Sequence, residues 1–137
     1  MNNILWTILM TLLVMACADH NVKEQTLEVS ICDCKELQHD PAYNVLHLGD
    51  RLKPFTGKCY DYYRGGVLKK DFTLKEGKYE GTLLYYHPNG NLQSQATYQE
   101  GLLFGEKKVF DANGQLLFHG IYKRSRLVET VYNINSK

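Results

Sequence analysis

Three thiols fall close together in the first half of the sequence: Cys32 and Cys34, one residue apart, and Cys59. A bridge between Cys32 and Cys34 would close a very tight ring against normal disulfide geometry, so a disulfide is expected between Cys59 and either Cys32 or Cys34, with one thiol left over. Such a staple contributes roughly 3 kcal/mol by the chain-entropy argument for loops of this size. The competing state is three small thiols buried as apolar groups. A zinc site needs more ligands at close spacing, and Cys32-Asp33-Cys34 with His39 or His47 downstream fits no standard pattern, so neither a metal nor another cofactor is expected. Hydrolysis or group transfer needs a nucleophile with a base and an orienting acid. Ser94 and Ser125 have no nucleophile-elbow context, and Glu76 and Glu100 give way to Arg124 at the next equivalent position, so these read as solvated turn residues. His20, His87 and His119 have no supporting partners, and His87, in a turn, is expected at the surface. No residue is assigned a catalytic role, and the chain is read as a binding protein rather than an enzyme.

Cys17 belongs to different chemistry. Ile4 to Ala16 form an uncharged apolar run of thirteen residues, short for a bilayer span but the length of a signal-peptide core. The run ends at Val14-Met15-Ala16-Cys17, which resembles the lipobox of bacterial lipoproteins. That resemblance implies acylation of the Cys17 thiol and cleavage just before it, with the mature protein held in the cell envelope, periplasmic or surface-exposed, through its lipid. Residues 1–17 are thus read as a signal peptide and 18–26 as a polar tether. Residues 27–53 are read as a capping segment, in which Leu27, Val29 and Ile31 alternate as one strand that covers the first sheet edge, followed by loop with a short strand over Val45 to Leu48. The formal charge of +1 is spread along the chain, which excludes the basic face that a nucleic-acid binder needs.

The positioning elements follow from internal repetition. Three 24-residue segments align without a gap, over 55–78, 79–102 and 103–126, with a partial copy at 127–132. Gly57, Gly81 and Gly105 share a column, and so do the turn glycines Gly66, Gly90 and Gly114. Each copy reads as a strand near 57–63, a turn, a return strand near 67–74 and a second turn. Gly65-Gly66, Asn89-Gly90 and Asn113-Gly114 are dipeptides that populate positive φ, as a two-residue hairpin requires. The first glycine column lies inside a strand and is read as the point where the sheet bends. The residues expected to be buried are Phe55, Tyr79, Leu103 and Leu127; Tyr62, Tyr86 and Phe110; Leu68, Leu92 and Leu116; and Leu74, Tyr98 and Tyr122. Tyrosine is concentrated here, and Tyr60, Tyr63 and Tyr85 are expected to stay at least half exposed as a binding face.

The pattern of Gly81, Tyr85-Tyr86, Asn89-Gly90 and Leu92 resembles the variant MORN repeats of bacteria, over about residues 54–132. Copy one departs with Gly65-Gly66 and copy three with Arg124-Ser125, as terminal repeats often do. The resemblance implies an all-β fold, an elongated antiparallel β-meander of hairpin repeats, in a family often labelled antitoxin-like. Three functions are open: an interaction module at the envelope with an unidentified protein partner, an antitoxin-like or immunity protein that neutralises a toxin, and a thiol or metal protein using the Cys-x-Cys. The first needs only the tether and a binding face.

Overall fold

The computed structural model describes residues 30–49 and 53–135. Cys17, the apolar run before it, the tether, and Leu27 and Val29 of the expected first strand lie outside the described residues. Among the described residues ten strands follow one another: β1 (Ile31–Asp33), β2 (Leu37–Asp40), β3 (Val45–Leu48), β4 (Gly57–Tyr62), β5 (Leu68–Lys75), β6 (Lys78–Tyr86), β7 (Leu92–Gln99), β8 (Leu102–Phe110), β9 (Leu116–Lys123) and β10 (Arg126–Asn133), with one 3-10 turn at Cys34–Glu36. Eight of them form one sheet in the order β1-β4-β5-β6-β7-β8-β9-β10, while β2 and β3 make a separate hairpin. β1 lies parallel to β4, and every later pairing is antiparallel. The fold is therefore an all-β, mostly antiparallel meander of hairpins, with β4-β5, β6-β7 and β8-β9 as the three copies and β10 opening a fourth. β2 was not foreseen, because Leu37-Gln38-His39-Asp40 carries a single apolar residue.

The Asn-Gly turns are not the two-residue hairpins expected from the sequence. At Asn89-Gly90, the His87 N–H donates to the Asn91 carbonyl at 2.8 Å and the Gly90 N–H to the His87 carbonyl at 2.8 Å, which leaves three residues in the loop. Gly90 has φ +86° but Asn89 is not at positive φ. This is a type I turn with Pro88 at its second position and a left-handed glycine to close it. The same bonds recur at Tyr63–Val67 and Asp111–Gln115. The two-residue turns lie instead at Glu76-Gly77, Glu100-Gly101 and Arg124-Ser125, where both central residues have positive φ, as a type I′ turn requires. Asn-Gly was misplaced because a left-handed glycine satisfies both turns equally well; in copy two Pro88, with its fixed φ near −65°, suits the second position of the type I turn.

The Gly81 and Gly105 column does mark bulges. Asp71 pairs with Leu84 and Thr73 with Glu80, so residues 81–83 face the single residue Phe72; Ala96–Lys107 and Tyr98–Leu103 repeat this around Gly105. In β10 Glu129 occupies that column, and the same surplus is divided between two single bulges, at Val128 and Val131.

The core is concentrated at the first copy. Cys32, Cys59, Phe72, Leu74 and Leu83 form one buried cluster, against which Leu37, Leu46, Leu48, Phe55, Tyr79 and Tyr98 pack. Of the thirteen residues expected in the core, Leu74 and Leu103 are buried, Tyr62 is 46% and Leu127 43% exposed, and the rest are half-buried. The columns of Cys59 and Leu83 and of Phe72 and Ala96 take the buried places instead, because the bulges reset which residues of each strand face inward. The β2-β3 hairpin covers this end of the sheet. It docks through Leu46, whose N–H donates to the Gly77 carbonyl at 2.8 Å and whose carbonyl accepts from the Phe55 N–H at 2.9 Å. Only glycine fits at 77, since a Cβ there would stand 2.6 Å from the Leu46 carbonyl oxygen and 2.8 Å from the Val45 Cβ.

Candidate binding surface

β1 and β4 place Cys32 directly opposite Cys59, with their Cα atoms 4.6 Å apart, and the two are joined as a disulfide. Cys34 is the free thiol, partly buried where the chain leaves β1. Burial pushes its pKa up, and the nearby Lys70 ammonium offsets this only in part, so the thiol form is favoured. Among the described residues no group of three or more His, Cys, Asp or Glu side chains is placed to hold a metal ion.

Beside Cys34, Lys70 lies under a set of aromatic rings. Its Nζ donates to the Tyr79 hydroxyl at 2.9 Å and stands 4.3 Å from the Phe72 ring centre, 5.0 Å from that of Tyr79 and 5.3 Å from that of Tyr85. Burial works against its charge, but the phenols of Tyr79 and Tyr85 outweigh it and raise the pKa. Tyr98 completes the row, 5.4 Å from Tyr79 between ring centres, and its own pKa is raised by burial and by the neighbouring phenols. Lys70 is therefore a fixed cation held by the sheet.

Tyr60, Tyr63 and Tyr85 do not make the exposed face expected of them. All three are partly buried. Tyr85 pairs with Lys70, which pairs with Asp61, whereas Tyr60 pairs with Asp71, one position along each strand; Tyr60 and Tyr85 therefore lie on opposite faces. The Tyr63 hydroxyl donates to the Tyr86 carbonyl at 2.8 Å, bridging to the next copy. His87, one repeat later, makes the equivalent contact from Nε2 to the Phe110 carbonyl at 3.0 Å and is partly buried, so it is a link between copies rather than a surface residue. Asp111, at the same position in copy three, turns back on its own loop and accepts from the Asn113 and Gln115 N–H groups at 2.9 and 2.8 Å.

A second set of links runs along the opposite edge. The Gly77 N–H donates to the Phe55 carbonyl at 2.7 Å, Gly101 to Tyr79 at 2.9 Å and Ser125 to Leu103 at 2.8 Å. At the far end Leu127, Val128, Val131, Tyr132 and Ile134 form an exposed apolar strip, each at least 40% exposed, while Ile31, Tyr62, Leu102 and Phe104 are exposed elsewhere on the sheet. Sequence reasoning missed Lys70 and the ion pairs Lys58–Asp71 and Lys69–Asp61, at 3.3 and 2.8 Å, because these depend on register across strands. It weighed His47 only as a metal ligand and did not foresee its burial, 2% exposed in β3. The alternation of Val45 and His47 against Leu46 and Leu48 was the available signal.

No curated protein and no solved structure matches the chain. A family model described as the MORN repeat variant matches residues 79–100 and 105–124. These segments fall within the second and third 24-residue copies, so the repeating unit of the sheet is, in those two copies, similar to the MORN repeat variant.

Proposed function

We propose that this protein is an exported, lipid-anchored module that binds a protein partner at the bacterial cell envelope. The MORN repeat match supports a repeat-based role in protein interaction. The finer reading rests on the Cys32–Cys59 bridge at the sheet's first edge, because disulfides persist in oxidising compartments and are rare in the reducing cytosol. The apolar run ending at Cys17 supplies the matching export signal and acyl acceptor, and two or more acyl chains hold a domain on a bilayer without any lipid-binding surface of its own. The exposed apolar strip on β10 is the kind of surface that a protein partner covers.

Cys17→Ser keeps the apolar run and removes the acyl acceptor. The mature protein is expected to move from the membrane fraction to the soluble exported fraction; unchanged fractionation would overturn the lipid anchor. Cross-linking in intact cells followed by pull-down tests the binding role, and recovery of the protein alone, at every cross-linker length, would overturn it.

A further inference from the structure

The β2-β3 hairpin and the Glu76-Gly77 turn enclose an open cleft of about 440 Å³, whose walls include Asp40, Tyr43, His47, Glu76 and Lys78. An adjoining cleft of about 560 Å³ shares Tyr43 and Lys78 and adds Glu100. His47 is the unusual member: it is 2% exposed, yet neither ring nitrogen has a hydrogen-bond partner. A buried imidazole without partners costs stability, and an apolar side chain of similar shape would not. The fold itself makes no use of these two nitrogens. Around them the cleft supplies acceptors and an aromatic face. Glu76 forms no ion pair among the described residues, Asp40 spends one oxygen on the Ala42 N–H at 2.9 Å, and Tyr43 is 77% exposed at the hairpin tip. Across the two clefts three carboxylates stand against one ammonium, that of Lys78, whose stem lies along Gly101.

We infer that this cleft is a recognition site for an arginine side chain presented by the partner protein, an inference that rests on the protein-binding reading and names where that binding is anchored. The ligand must be rich in donors and positively charged, which disfavours anions. No group of three or more His, Cys, Asp or Glu among the described residues is placed to hold a metal ion, which disfavours a coordinated metal. A guanidinium is planar, carries five N–H donors and no acceptor, and pairs with carboxylates through two bonds at once. In the cleft it meets the carboxyl groups of Asp40 and Glu76, an otherwise unpartnered ring nitrogen of His47, and the Tyr43 ring, on which a guanidinium stacks. Lysine, a compact charge with three donors, uses this spread of acceptors less completely.

The test is an NMR titration of the full-length protein with the peptide acetyl-Gly-Arg-Gly-amide and with its citrulline counterpart, which has the same shape but no charge. The arginine peptide should shift the His47 and Tyr43 ring signals to saturation, and the citrulline peptide should bind about tenfold more weakly or worse. Glu76→Gln should weaken arginine binding about tenfold. His47→Phe should weaken it too, while the denaturation midpoint holds or rises, an outcome that a merely structural histidine would not give. Should His47→Phe fail to fold, Glu76→Gln, on an exposed turn, carries the test. Absence of saturable shifts, equal binding of the citrulline peptide, or full affinity in folded Glu76→Gln overturns the site. The two readings fail separately: an envelope partner captured equally by wild type and Glu76→Gln overturns this site alone, whereas arginine binding without any captured partner overturns the protein-binding role alone.

Discussion

At the scale of single residues, the positive-φ positions separate what the fold needs from what it tolerates. Glu100 holds φ +50° at the first place of its two-residue turn, a conformation that costs an ordinary side chain about 1–2 kcal/mol and asparagine less. Its backbone N–H is bound by Glu80 Oε2 at 2.9 Å, a bond that survives a change of side chain. Glu100→Asn is therefore expected to stabilise the protein by about 0.5–1 kcal/mol, read as a higher urea midpoint. A lower midpoint would mean that the Glu100 carboxylate itself holds the turn. Asp61 gives a pH dependence of known sign. Lys69 donates to its Oδ2 at 2.8 Å and holds its carboxyl below the ordinary range. With the folded pKa depressed, the pair's contribution is complete above the unfolded carboxyl value of about 4 and is lost as the pH falls through the lower folded value. Lys69 is 44% exposed, so the effect is modest. Acidification from about pH 5 to pH 2 should lower the wild-type midpoint more than that of Asp61→Asn, and parallel curves would exclude the linkage.

At the scale of elements, strands were easier to read than turns. The 24-residue period located β4 to β9 to within about three residues, because alternation and glycine spacing are written in local sequence. The choice between two-residue and three-residue loops was not, since it depends on which residue besides glycine takes positive φ. Gly90 remains the sharpest test. It has φ +86°, and a Cβ there would meet no heavy atom within 4 Å, so any loss on substitution comes from the backbone alone. Gly90→Val is expected to cost about 1–3 kcal/mol. Gly90→Asn should lose less than half of that, because asparagine tolerates the left-handed region. Equal losses for the two variants would point to side-chain crowding instead. The buried columns were misread for a related reason: each bulge changes the alternation midway along a strand, and nothing in Tyr62 or Leu83 alone announces it. The candidate cleft was still less legible. Asp40, His47 and Glu76 are spread over 37 positions of sequence, and they meet only because Leu46 crosses Gly77.

For the whole molecule, the two ends of the sheet are built differently. The first end holds the disulfide, the covering hairpin and most of the buried side chains, while β10 is exposed along nearly its whole length. Hydrogen exchange should therefore be slowest in β4 and β5 and fastest in β9 and β10. Cys59→Ser should lower global stability by about 3 kcal/mol and narrow that gradient. Uniform protection along the sheet would mean that the copies unfold as one unit. The bonds from Gly77 to Phe55, Gly101 to Tyr79 and Ser125 to Leu103 each join the two ends of one copy, at a constant offset of 22 residues. A strand occupies about 4.8 Å across a sheet, so each copy adds about 10 Å of width. The sheet is thus a ruler. Inserting one more 24-residue unit between the second and third would move β10 outward by one graduation and leave both ends chemically as they are, so the distance between the capped first edge and the open edge can be altered through copy number alone.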